Sequence, residues 1–308
     1  MKRLAYILIL SMIAQALIAQ EQEKNIASSS ELILQISSLP EAKLGFTQRF
    51  GFPFMQGQSP LTANNNIVLA LTGEISPLSA NILVETVWTP IAFFQLAAGG
   101  SLGSGWNIKL FGNEAYGIGL NQADSTGNKT ISGSAFDGLL WKAQAGGAIQ
   151  FDLAAIIPGD WNHVVFRSYH EINYRGYTRA KADESWYFEA DDGENCNGFI
   201  YYGNILLGYQ MPIFLNLIGF LTGMDLYLYD TAGRESWGDD LSHWIFTGIL
   251  GFEITKKFSV TVLTQFVTQR NYNESNWKDL YYRNRTLDTN DKHHLEFYRV
   301  AAVLIYKF

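Results

Sequence analysis

The sequence predicts an all-β protein, an antiparallel transmembrane β-barrel of about 12 strands, with 10 or 14 as the neighbouring counts. Three observations lead there. Stretches of ten or more residues alternate apolar and polar side chains at period two. Charged residues make up only 17% of the chain, against roughly a quarter in soluble domains, while aromatics reach 14%. Finally, the connections between alternating stretches are short and long by turns.

The alternation is clearest in the second half. From Leu139 the odd positions run Leu139, Trp141, Ala143, Ala145, Gly147, Ile149 and Phe151, against Lys142, Gln144, Gln150 and Asp152. From Phe199 the odd set again is apolar, and from Trp244 and Val260 the even sets are. An apolar face of this length fits a strand tilted across about 25 Å of hydrocarbon. Strands are expected near 41–51, 64–74, 78–88, 91–103, 106–120, 138–153, 162–177, 198–211, 214–230, 242–255, 257–271 and 294–308. The segment 106–120 alternates poorly and is the weakest of these. Residues 20–40 read as a short periplasmic arm or plug, and 41–308 as the barrel.

The connections at 158–162, 210–215 and 255–257 are short, whereas 178–197, 230–241 and 271–293 are long and polar. That asymmetry is how membrane barrels are strung, and an even strand count keeps both ends on one side. No segment after residue 19 offers 18 consecutive apolar residues, so helical spans are excluded. A closed barrel is the other architecture that satisfies every backbone group inside a bilayer.

At the amino terminus, Lys2 and Arg3 precede an apolar run over 4–19, which gives way to the polar EQEKN of 21–25. This order of charge, apolar run and small-residue exit marks a secretory signal peptide over 1–19, with cleavage expected after Ala19. Cys196 is the single cysteine, which excludes an internal disulfide and a Cys-based zinc site. The net charge of −7, with no basic stripe, excludes nucleic acid as a partner. No cofactor is expected.

The chain closes on RVAAVLIYKF, with Val300, Ala302, Leu304, Tyr306 and Phe308 on one face. Terminal Phe308, alternate Tyr306 and Leu304, and the signal peptide together resemble bacterial outer-membrane β-barrel proteins. The resemblance covers the whole mature chain and names a superfamily, not a function. It implies the cell outer membrane as the location, with outer-membrane lipid and the barrel assembly machinery as partners. Trp88, Trp141, Trp161, Tyr209 and Trp244 fall near strand ends, where interfacial aromatic girdles are expected.

Inward parity gathers the candidate pore-lining residues Lys142, Asp152, Arg167, Glu171, Arg175, Asp225, Glu253 and Arg299. Charges facing a lumen are solvated or paired, whereas facing lipid they cost about 2–4 kcal/mol near the midplane. Arg167, Glu171 and Arg175 share a face at spacings of four, so Glu171 is expected to bridge both arginines. Two readings stay open. One is a porin-like channel for passive passage of small hydrophilic solutes, weakly charge-selective because the signs are mixed. The other is a closed structural or adhesin-type barrel, self-paired inside and acting through its long loops. An outer-membrane hydrolase ranks third. The motif of barrel phospholipases (His, Ser two residues on, then Asn and Gly) is absent, and Ser242 and His243 point to opposite faces. The chain is therefore not expected to be an enzyme, and nothing in it fixes an oligomeric state.

Overall fold

The computed structural model describes residues 26–308, except 40, 111–112, 183, 190, 192 and 229–236. The expected signal peptide lies outside the described residues. In chain order the strands are β1 (Ala27–Ser37), β2 (Ala42–Pro53), β3 (Asn66–Ile75), β4 (Ser79–Ile91) and β5 (Phe94–Gly105). Four short strands follow, β6 (Ile108–Leu110), β7 (Asn113–Ala115), β8 (Ile118–Ala123) and β9 (Lys129–Ser132). Then come β10 (Leu140–Asp152), β11 (His163–Tyr177), the short β12 (Ser185–Phe188), β13 (Gly198–Gln210) and β14 (Leu215–Tyr227). The last three are β15 (His243–Thr255), β16 (Phe258–Arg270) and β17 (His293–Lys307).

Twelve of these close into one antiparallel barrel, in the order β1-β17-β16-β15-β14-β13-β11-β10-β5-β4-β3-β2. No helix among the described residues is long and apolar enough to cross a membrane. Closure comes from β1 against β17, registered from Glu31 opposite Lys307 to Ser37 opposite Ala301. Both ends of the barrel chain therefore sit at one rim, here called the near rim. The four long connections, 106–139, 178–197, 228–242 and 271–292, all leave the far rim.

Two expectations are corrected, and they cancel in the count. Residues 27–37 are a barrel strand and not an arm or plug: Leu32, Leu34 and Ile36 face outward beside Tyr306, Leu304 and Ala302. The segment 106–120 contributes no barrel strand. It supplies β6, β7 and the start of β8, which belong to separate small sheets above the far rim. Its glycines at 112, 117 and 119 leave few side chains for a lipid-facing row, and a Cβ at Gly117 would collide with the Leu78 carbonyl oxygen.

The wall is turned inside out relative to a water-soluble sheet. Outward positions carry exposed large apolar side chains, among them Leu102 at 57% and Leu207 at 55%. Such a continuous apolar surface is stable only against lipid.

Candidate functional site

The lumen is where the polar side chains converge. On β11 the inward row is Arg167, Tyr169, Glu171, Asn173 and Arg175, because period two puts alternate residues on one face. Glu171 is almost wholly buried, and its carboxylate takes Lys142 of β10 at 2.7 Å. It also accepts hydrogen bonds from the Tyr169 hydroxyl at 2.7 Å and the Asn173 amide at 3.0 Å. The expected bridge from Glu171 to both arginines does not form; the neighbouring strand supplies its cation instead. Arg167 lies over the Tyr169 ring at 4.9 Å, and Arg175 over the Trp186 ring at 5.7 Å.

Three polar cavities follow one another along this wall. The first, about 240 Å³, is lined by Glu85, Gln95, Gln144, Arg167, Tyr169 and Glu171, among others. The second, about 210 Å³, shares Glu171 and adds Lys142, Arg175, Tyr202 and Asp225. The third, about 250 Å³, shares Arg175 and Asp225 and reaches His243, Arg270 and Glu194 at the far rim. The Lys142–Glu171 pair thus partitions the first cavity from the second.

The remaining lumenal candidates lie nearer the rims. Asp152 closes the near-rim turn: it pairs with His163 at 2.8 Å and accepts from the Ala154 backbone N–H at 3.0 Å. Glu253 is exposed close to the near rim. Arg299 donates to the Gln265 amide oxygen at 2.7 Å and pairs with Glu41 of the β1–β2 turn. Asp152 and Arg299 are thus engaged in fastening turns to the wall.

Aromatic positions separate by rim. Trp141 and Trp244 stand toward the far rim, Trp141 stacked on Tyr174 at 4.8 Å. Trp88, Trp161 and Tyr209 stand toward the near rim, the Tyr209 hydroxyl donating to the Trp161 carbonyl at 3.0 Å. Tyr306 and Phe308 join them there, edge to face at 5.1 Å, with Leu304 on the same outward row.

What the sequence did not disclose is a cap. Strands β12, β8 and β9 form a three-stranded sheet from two different loops over the far rim. Its Ile118 and Trp186 form a core with Tyr177, the last residue of β11, each at most 1% exposed. Asn197 staples it: its side-chain oxygen accepts from the Tyr177 backbone N–H and the Trp186 indole N–H, and its amide donates to the carbonyls of Tyr177 and Ala180. The loop 271–292 is tied to the loop 106–139 by the Lys129 N–H donating to the Asp279 carbonyl at 2.7 Å.

Segment 185–197 runs across the mouth and is anchored on both sides. Glu189, in the left-handed region at φ 53°, reaches Lys43 of β2 at 3.0 Å and accepts from the Ser79 hydroxyl of β4. Burial would lift the Glu189 carboxyl, but the Ser79 hydrogen bond and the Lys43 charge outweigh it and hold the pKa below its ordinary value. Glu194 pairs on the other side with Arg270 at 3.0 Å and with the buried Arg285. These contacts join residues 76 to 146 positions apart, which no local pattern announces.

On the outer face, His170 hydrogen-bonds Ser168 at 3.0 Å and the Tyr201 hydroxyl at 2.6 Å. A Cβ at Gly203 would stand 2.8 Å from that hydroxyl, so glycine there admits the contact. Among the described residues no group of three or more His, Cys, Asp or Glu is arranged to hold a metal ion.

No family model and no curated protein matches the chain. Solved structures do. The NanC porin is 7% identical, with 91% of this chain and 98% of that chain covered and a TM-score of 0.41. The KdgM porin in complex with disordered oligogalacturonate is 11% identical, at 92% and 99% coverage and a TM-score of 0.36. The translocator domain of the autotransporter NalP from Neisseria meningitidis is 8% identical, at 99% and 96% coverage and a TM-score of 0.39.

Proposed function

We propose that this barrel is exported by its signal peptide, is inserted into a bacterial outer membrane by the barrel assembly machinery, and passes small hydrophilic solutes as a porin-like channel. The observation that carries the reading is the run of three polar cavities sharing residues from mid-wall to the far rim. A barrel filled only to stabilise itself gains nothing from consecutive polar cavities along one row of side chains. The cap narrows the far mouth, which suits small solutes over large ones.

One observation favours a second reading: the cap has a core of its own, as a closed barrel working through its surface loops would. A single experiment separates the two. The mature chain, refolded in detergent and inserted in a planar bilayer, should give discrete conductance steps, and Arg167→Glu or Arg175→Glu should change their size and ion preference. A folded barrel with heat-modifiable gel mobility and no steps would overturn the channel and favour the loops.

A further inference from the structure

The charges along the lumen are unevenly committed. Lys43 is held by Glu74 and Glu189, Arg49 by Glu31, Lys142 by Glu171, Arg299 by Glu41, and Arg270 by Glu194. Among the described residues Arg167, Glu85, Arg175 and Asp225 enter no ion pair with one another or with any other side chain. They are distributed in a pattern: the first cavity holds Arg167 and Glu85, the second Arg175 and Asp225. Each cavity is therefore lined by one guanidinium and one carboxylate that do not pair with each other.

From this we infer that the lumen binds small zwitterions, molecules carrying a carboxylate and an ammonium group, of which free amino acids are the simplest class. The inference rests on the channel reading only for its consequence, selective passage. The chemistry is direct. Arg167 is steadied by the Tyr169 ring, which takes none of its N–H donors, so the guanidinium fork is available to a carboxylate. Glu85 accepts from an ammonium across the cavity. Gln95 and Gln144 add neutral hydrogen-bonding groups. The volume of about 240 Å³ lies below the roughly 300–1,000 Å³ of drug-sized sites, so the occupant is a small molecule. A simple anion would meet Glu85 and a simple cation Arg167, so a ligand of one sign gains one contact and suffers one repulsion. The second cavity repeats the arrangement one step nearer the far rim.

The test is calorimetric titration of the detergent-refolded mature chain with L-alanine, alaninamide and propionate. Alanine should bind at least tenfold more tightly than either one-sided analogue. Arg167→Gln and Glu85→Gln should each weaken alanine at least tenfold while leaving heat-modifiable gel mobility unchanged. Arg175→Gln and Asp225→Asn probe the second cavity in the same way. Equal affinity for the three probes, or none, overturns the zwitterion site whatever the bilayer records show. A bilayer-silent barrel that keeps the alanine preference overturns the channel and leaves the site standing.

Discussion

The wall and the cap are built from the same aromatic-rich chain but answer to two solvents. In the wall, Ile172 and Leu207 point outward at 54% and 55% exposure, and the strands are held by their backbone ladders and by lipid. In the cap, Trp186 and Tyr187 are at 1% and Ile118 at 0%, packed as in a water-soluble domain. The difference teaches that apolar composition alone does not say where the membrane is. Leu207 and Ile118 look alike in a hydropathy profile, yet one is stable because it meets lipid and the other because it avoids water.

Substitutions can break this comparison in graded steps. The largest effect is expected from Trp186→Ala, which empties the cap core at a cost of about 3–5 kcal/mol. Because the wall is closed by its own backbone ladders, the barrel should keep its heat-modifiable mobility while limited proteolysis cuts at 178–197. Loss of the barrel band would show that the two regions fold as one. Next is Ile205→Arg, on the outward row midway along β13, with an expected loss of about 2–4 kcal/mol in denaturant unfolding from lipid vesicles. An unchanged midpoint would mean that position does not meet hydrocarbon. The smallest is Glu189→Gln, at about 1 kcal/mol. The Glu189 carboxyl is lower in the folded protein, so its contribution is full above the ordinary value of 4.5 and fades as pH falls through the folded pKa. Protease access to 185–197 should therefore rise on acidification in the wild type and be raised already at neutral pH in the variant. A wild-type cap indifferent to acid would sink the latch.

The wall was largely legible in the sequence. Alternation places the strands from β10 onward within a few residues of where they lie, because one face is forced to be apolar throughout. The alternation of β1 is present too, in Leu32, Leu34 and Ile36, but residues 20–40 read as a short arm or plug. Its omission was offset by 106–120, where scattered glycines among aromatics imitate a strand without its period. The candidate site divides similarly. Parity put Lys142, Arg167, Glu171, Arg175 and Asp225 in the lumen, which the cavities contain. Parity within a strand says nothing about neighbours across the sheet, so Lys142 as partner of Glu171 was hidden, and Glu85 on a distant strand passed unnoticed. The cap was unreadable because Glu189 and Glu194 find their partners on wall strands far away in sequence.

The seam between β1 and β17 has a temporal meaning. The Phe308 backbone N–H donates to the Ser30 carbonyl at 3.0 Å, so the first described strand and the last are hydrogen-bonded neighbours. Every other wall strand can pair with one near it in sequence soon after both exist. β1 has β2 on one side, but its other side must wait for the final residues, and bringing such distant segments together is the slowest kind of contact to make. Throughout that wait a row of free N–H and C=O groups is exposed, able to recruit another chain into a misassembled sheet. What the surroundings must supply to a newly made copy is therefore a temporary neighbour for one edge.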